Sequence, residues 1–317
     1  MKIVVMEPLG VAESKLIQLA QPLLKSGNEL KLYDKRAECT EELISRVQDA
    51  DIVILANQPL PAEVINKCEN LKMLSVAFTG VDHIDLEACR AKNITVCNAA
   101  GYSTNAVAEL VFGLLINVLR NITACDARCR QGKTKDGLVG SELYGKTFGI
   151  IGAGAIGSKV AQIALAFGCR VIAYNRTEKE ALKQLGVEFV SLEEIYVQAD
   201  FISLHVPLTA DTKGLINKEA LQKMKPNAVL INTARGPVVD SKALMEALNN
   251  GVIAGAGIDV FDTEPPLAQE EVLFQAKNTV LTPHVAFASH EALLKRAEIV
   301  FANIEKWLAG TPQNLIR

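Results

Sequence analysis

The stretch "FGIIGAGAIGSKVAQIALAFG" (148–168) limits what this chain can fold into more than any other. An apolar run leads into Gly152-x-Gly154-x-x-Gly157, and apolar residues at helical spacing follow. A second apolar run, "RVIAY", ends at Tyr174. Strand, glycine turn, helix and strand in that order describe a βαβ unit whose turn suits a pyrophosphate. Gly152 permits the tight turn. Gly154 lets phosphate oxygens approach the backbone, and Gly157 lets helix and strand pack closely. The helix N-terminus adds free N–H groups and partial positive charge. A glycine turn without a ligand is the plain alternative, and the flanking strand and helix patterns weigh against it.

The same grammar runs along the whole chain. The first third contains the runs "KIVVM", "LKLYD", "DIVILA", "KMLSVAF" and "ITVCN", with amphipathic segments at 11–25, 41–48 and 61–69. The runs are mostly Val, Ile and Leu without strict alternation, as parallel strands covered on both faces require. A polar, Gly-containing loop is expected over 133–146. Six further runs follow: "FGIIG", "RVIAY", "FISLHV", "AVLINT", "GAGIDV" and "NTVLTP". Six is the strand number of a doubly wound dinucleotide fold. The segments "VQDADIVIL" (47–55) and "VQADFISLH" (197–205) echo each other, each placing Ala-Asp just before a buried strand.

Two long helices are expected. Residues 103–120 are apolar on nearly every face, through Val107, Leu110, Val111, Phe112, Leu114, Leu115, Ile116, Val118 and Leu119. Such a helix must be buried all round, either between domains or in a subunit interface, and a homodimer is the favoured expectation. The second helix has Ser289 as N-cap, with Leu293, Ala297, Val300, Phe301, Ile304 and Leu308 at helical spacing. Gly310 and Pro312 end it. It would return the chain to the first domain and make that domain discontinuous.

At 317 residues, 49% of them hydrophobic, the chain is long enough for two cores. A formal net charge of −3 with interspersed signs excludes a basic nucleic-acid footprint. None of the seven cysteines forms a CxxC pair. Cys125 and Cys129 have no His/Cys cluster beside them, so no metal site is expected. Free thiols point to a reducing cytoplasm. The start, "MKIVVMEPLG", lacks the apolar core of a signal peptide. The most apolar long segment, "AVAELVFGLLINVL", contains Glu109 and is too short to span a bilayer, so no membrane partner is expected.

The end of the second strand bears on the nucleotide. NAD sites place an acid there to accept both ribose hydroxyls, whereas this chain has Asn175, Arg176 and Thr177. Asn does not repel a 2′-phosphate, and Arg with Thr suits one, so NADP(H) is the favoured cofactor and NAD(H) the alternative.

Three further stretches close strands with polar residues: "INTARGPVVD" presents Arg235, "GIDVFDTEPP" presents Glu264, and "TPHVAF" presents His284. Taken alone, a histidine after an apolar run is more often structural than catalytic. Together with "FTGVDHID", "GAGAIG" and "LHVPLT" in the same order, however, they make the whole chain resemble the D-isomer-specific 2-hydroxyacid dehydrogenase family, in particular its glyoxylate and hydroxypyruvate reductases. The resemblance implies His284 as general acid/base, Glu264 as its carboxylate partner and Arg235 as the clamp on the substrate carboxylate. It implies that backbone N–H groups at Thr79, Gly80 and Val81 hold the same carboxylate. It further implies cofactor contacts at Thr79, Ala155, Ile156, Val206, Thr233, Ala234, Arg235, Asp259 and His284. His205, His83 and His290 receive structural, surface or capping roles.

The chain departs from the family pattern at Asn175 and at Phe287, where many members have a small residue or Trp. It also has Asn57, Gln58 and Pro59 where phosphoglycerate-type members carry an Arg for a phosphate. A C-terminal regulatory domain is not expected after Arg317, and Glu264 argues against a formate-type reaction.

The expectation is therefore an α/β chain of two Rossmann-like doubly wound domains. One is a flavodoxin-like substrate domain, residues 1–99 and 287–317. The other is an inserted six-stranded dinucleotide-binding domain, residues 100–286. The expected activity is NAD(P)H-dependent interconversion of 2-ketoacids and D-2-hydroxyacids in a cleft that closes on the substrate. The substrate would be glyoxylate, hydroxypyruvate or a modest apolar 2-ketoacid, with Leu60, Phe78, Tyr102 and Phe287 shaping its pocket. The alternative is a dinucleotide-sensing, corepressor-like regulator on the same fold. Replacing His284 by Gln is expected to remove most turnover while dinucleotide affinity stays nearly unchanged. Steady-state rates and a dinucleotide titration read the two effects separately.

Overall fold

The computed structural model of the chain describes residues 1–263 and 266–316. It forms two compact units, Met1–Ser103 with Ala288–Arg317, and Thr104–Phe287. Both junctions lie slightly beyond those expected from sequence. Tyr102 is buried and its ring packs on Phe78, 6.2 Å between centroids, which keeps it with the first unit. Phe287 meets the His284 ring edge-on at 5.6 Å, which keeps it with the second.

The first unit holds strands β1 (Lys2–Val5), β2 (Glu29–Leu32), β3 (Ile52–Leu55), β4 (Met73–Val76) and β5 (Thr95–Cys97). All pairings are parallel and the order is β2-β1-β3-β4-β5, the flavodoxin-like arrangement. The central runs "IVIL" and "MLSV" are buried at every position because helices cover both faces. At the edge, β2 alternates exposed Glu29 and Lys31 with half-buried leucines, and those charges discourage further pairing. The closing helix, His290–Leu308, is capped by Ser289, whose side chain accepts from the Ala292 N–H, as expected. It packs on β4, where the buried Ser75 Oγ donates to Val300 O at 2.9 Å.

The second unit holds β6 (Thr147–Ile151), β7 (Arg170–Tyr174), β8 (Glu188–Phe189), β9 (Phe201–Leu204), β10 (Val229–Asn232), β11 (Gly255–Ile258) and β12 (Thr279–Leu281). They form one parallel sheet in the order β12-β11-β10-β9-β6-β7-β8. The sheet thus has seven strands instead of the expected six. The extra strand, β8, is two residues long, too short to leave a periodic signal, and pairs with Ile172 and Ala173 of β7. Helix Thr104–Arg120 buries Ala108, Val111, Phe112, Leu114, Leu115 and Leu119 in the core of this unit. It seats closely on β11, where a Cβ on Gly257 would lie 2.8 Å from Leu114 and one on Gly255 2.6 Å from Val118.

The sequence echo has a structural counterpart. Asp51, just before β3, accepts from the Lys2 N–H at 2.8 Å and pairs with Lys72 at 2.7 Å. Asp200, just before β9, accepts from the Thr147 N–H at 2.9 Å and pairs with Lys225 at 3.0 Å. Each carboxylate thus ties the entry of one strand to the start of its neighbour. These contacts hold both carboxyl groups below their ordinary pKa despite partial burial.

All seven cysteines are free thiols, and burial raises Cys68, Cys89, Cys97 and Cys169 to about 11, which leaves them protonated and unreactive. Among the described residues no single helix is long and apolar enough to cross a membrane, and no cluster of His, Cys, Asp or Glu is arranged to hold a metal.

Candidate functional site

Because every strand of the second unit is parallel, the exits of β6, β7, β9, β10, β11 and β12 lie along one sheet edge. The sequence-predicted residues of this unit follow those exits. Gly152 has φ +99°, and a Cβ there would lie 2.5 Å from His205 O, so only glycine fits the turn. A Cβ on Gly157 would lie 2.0 Å from Gly152 O. Gly154 differs: it is exposed, and a Cβ there would meet no protein atom within 4 Å. The protein itself does not require a glycine at that position, so the space in front of it is open to a ligand. Helix Ala155–Ala166 starts there without a side-chain cap, and the N–H groups of exposed Ala155 and half-buried Ile156 meet no acceptor among the described residues. Further along the edge, Thr233 Oγ1 is buried with no hydrogen-bond partner among the described residues. An open cradle at Gly154 and an unused hydroxyl at Thr233 fit a dinucleotide lying along this edge.

Asn175 is engaged at both ends. Its Oδ1 accepts from the Ala153 N–H at 3.0 Å, and its Nδ2 donates to Thr177 O at 2.6 Å. It therefore staples the glycine turn to the loop after β7, and that loop presents Arg176 and Thr177 to solvent. After β9, His205 pairs through Nε2 with the buried Ser203 hydroxyl at 2.9 Å, while Val206 is half-buried beside Gly152. Part of His205 reaches the surface, but its ring lies in a dry setting that pushes its pKa down to about 3.

The loop after β10 is organised by Asn232, which sequence reasoning passed over. Its Oδ1 accepts from the Ala234 N–H at 3.0 Å and its Nδ2 donates to Arg235 O at 2.9 Å. A buried Asn at a strand exit was the signal available. The next residue, Gly236, lies so close to the following loop that a Cβ would fall 1.9 Å from Phe261 O. The Arg235 loop is thereby packed against the exit of β11.

That exit holds Asp259, which is fully buried. Its Oδ1 accepts from Thr282 Oγ1 at 2.6 Å and from the Val285 N–H at 2.8 Å, and its Oδ2 accepts from the Ala286 N–H at 2.9 Å. The His284 N–H donates to Asp259 O at 2.8 Å. His284 itself adopts φ +54°, a left-handed conformation that costs a non-glycine residue about 1 kcal/mol. Burial raises the Asp259 carboxyl pKa, while the bonds from Thr282, Val285 and Ala286 and the nearby His284 act to lower it. One carboxylate therefore sets the turn that carries the imidazole. Arg235, Asp259 and His284 belong to a single run of packed loops. Glu264 lies outside the described residues.

Thr79, Gly80 and Val81 belong to the first unit, beyond the exit of β4. Their N–H groups meet no acceptor among the described residues, and Thr79 is exposed. Leu60, Phe78 and Tyr102 are buried in the same unit. His290 is exposed at the first position of its helix.

The fold and this sheet edge define a dinucleotide-binding protein of the doubly wound class. Residues 112–286 match the family model described as "D-isomer specific 2-hydroxyacid dehydrogenase, NAD binding domain". A glyoxylate reductase of Thermococcus litoralis is 42% identical over 300 residues, covering 91% of this chain and 90% of that one. A hydroxypyruvate reductase of Blautia hydrogenotrophica is 36% identical over 303 residues, covering 92% and 93%. An acyclic imino acid reductase, Bsp5, solved with NADPH and D-Arg, superposes with a TM-score of 0.90 at 35% identity over all of both chains. The chain belongs to the D-isomer-specific 2-hydroxyacid dehydrogenase family, and it is an oxidoreductase that uses a nicotinamide dinucleotide.

Replacing Asp259 by Asn puts an N–H₂ group among three donors. It is expected to cost about 1–3 kcal/mol in denaturant unfolding, and to lower kcat by a larger factor than it weakens dinucleotide binding. For His205, the free imidazole titrates near 6.5 and the folded one near 3. Between those pH values the unfolded chain holds a proton that the folded chain lacks, so stability falls as pH drops, by about 1.4 kcal/mol per pH unit. Replacing His205 by Gln is expected to flatten that limb of a stability-against-pH curve.

Proposed function

We propose that the chain reduces small 2-ketoacids to D-2-hydroxyacids, preferring NADPH to NADH, with glyoxylate, hydroxypyruvate or a modest apolar 2-ketoacid as substrate. The observation that carries this reading is the run of packed loops in which Asp259 sets the His284 turn beside the Arg235 loop, on the sheet edge that also bears the open glycine cradle.

In this reading Gly152, Gly154, Ala155, Ile156 and Gly157 hold the pyrophosphate. Val206, Thr233 and Ala234 line the nicotinamide end, and the cofactor contact expected of Asp259 becomes a backing role, since its fully buried carboxyl is used within the protein to set the His284 turn. When bound, the dinucleotide supplies the hydride. His284 donates the proton to the keto oxygen, and Glu264 is its carboxylate partner. Arg235 holds the substrate carboxylate with a planar, permanently charged fork that Lys does not reproduce. The N–H groups of Thr79, Gly80 and Val81 serve the same carboxylate. Both ends of Asn175 are used within the protein, which leaves Arg176 and Thr177 for the ribose, and a guanidinium with a hydroxyl suits a 2′-phosphate.

The active form is a homodimer in this proposal. Ile122, Val139 and Tyr144 of the second unit are 48%, 84% and 77% exposed, which leaves apolar side chains available to a second copy. The compartment is the cytoplasm, in keeping with seven free thiols. Nothing among the described residues favours a corepressor-like regulator.

Assaying the full chain against a panel of 2-ketoacids with each dinucleotide tests the reading. Turnover of glyoxylate or hydroxypyruvate is expected, with kcat/KM for NADPH about fivefold or more above that for NADH. Binding of NADPH without turnover on any member would remove the reductase assignment, and a clear NADH advantage would remove the cofactor preference.

A further inference from the structure

Three successive carbonyls lead into the Thr79–Val81 loop, and each is held from behind by a group of the first unit. Ala77 O accepts from the buried Arg296 guanidinium, Nη1, at 3.4 Å. Phe78 O accepts from the Ala99 N–H at 2.9 Å. Thr79 O accepts from Asn98 Nδ2 at 2.7 Å. In a planar trans peptide the C=O of one residue and the N–H of the next point in opposite directions. Holding Phe78 O and Thr79 O therefore directs the N–H groups of Thr79 and Gly80 away from residues 98–99, and those N–H groups meet no acceptor among the described residues.

Among the described residues, Asn98 has the only side chain bonded to the Thr79–Gly80 peptide, and it is itself fixed at three further points. It is 8% exposed, just past the end of β5. Its Oδ1 accepts from the Ala100 N–H at 3.2 Å, and its backbone N–H donates to Asn314 O at 3.0 Å. Its backbone O accepts from Asn303 Nδ2 at 2.9 Å. Asn303 is fully buried, and its Oδ1 accepts from Gln313 Nε2 at 3.2 Å and Asn314 Nδ2 at 2.9 Å. A side chain held this firmly serves as a rigid backing for the peptide it grips.

We propose that Asn98 is a positioning residue that pre-aims the Gly80 N–H at the substrate carboxylate, so that the loop need not reorganise when the anion arrives. This rests on the carboxylate-binding role proposed for Thr79–Val81. Short reach, one donor and one acceptor are all required, and Asn meets all three. Asp keeps the acceptor for Ala100 but loses the donor and sets a negative charge against Thr79 O. Ser keeps a small polar group but cannot span to both partners.

The test uses the full chain carrying Asn98→Asp or, should that variant fold poorly, Asn98→Ser. Three quantities are read: KM and kcat for glyoxylate, inhibition by oxamate as a non-reacting carboxylate, and the Kd of NADPH alone. The expected result is a KM raised about tenfold, an oxamate inhibition constant raised by a similar factor, kcat changed by less than about threefold and an unchanged NADPH Kd. Unaltered KM and oxamate inhibition in a folded variant would overturn the role of Asn98 alone. So would a parallel loss of NADPH affinity, which marks general damage. Wild-type protein that neither turns over glyoxylate nor binds oxamate would instead remove the proposed role of the loop, and this inference with it.

Discussion

Parallel pairing is the constraint on which the rest of this molecule depends. With every strand of a sheet running the same way, all exits fall on one edge, and each exit leaves backbone groups that the ladder no longer satisfies. The chain meets this need repeatedly with a short amide or carboxylate at or just past the strand end. Asn98 does so after β5, Asn175 after β7, Asn232 at the end of β10 and Asp259 after β11. Asn98, Asn175 and Asp259 tie their exit loops to another segment, and Asn232 pins its own loop at Ala234 and Arg235. The edge becomes a fixed frame from which other groups remain free to face a ligand.

His284 shows what such a frame makes possible. A left-handed conformation is unfavourable for an imidazole-bearing residue, and it persists because Asp259 accepts three hydrogen bonds from the surrounding turn. A carboxylate with no exposed surface gains full value from those bonds, since no water competes for its oxygens. Local strain and buried charge, each costly alone, are here parts of one arrangement.

Much of this was legible in the sequence because burial on both faces leaves unbroken apolar runs, as in β3 and β4, and even edge strand β2 kept leucines between its charges. The glycine turn was readable for the same reason: Gly152 and Gly157 answer to backbone contacts at 2.5 and 2.0 Å that no other residue survives. Strand β8 was not, since two residues carry no period. Nor was the second role of Asp259. The family resemblance gives it a cofactor contact, but its oxygens are occupied by residues more than twenty positions away, and only a fold brings those together. Asn98, Asn232 and Asn303 were passed over because a polar side chain at a strand exit or within a helix looks like ordinary surface until its partners are known. The breadth of the apolar helix at Thr104–Arg120 was legible, but not that one side of it fills the core of the second unit over the glycines of β11, a contact that only the fold creates.

The first unit is written in two pieces, with the whole of the second between them. A ribosome therefore delivers the inserted body complete before it delivers the helix that the earlier sheet awaits. Until residues near Val300 emerge, Ser75 lacks the carbonyl it bonds, and the face of β4 has no cover. The nascent chain carries an unfinished apolar surface through more than half of its synthesis, an interval in which a chaperone would find its natural substrate.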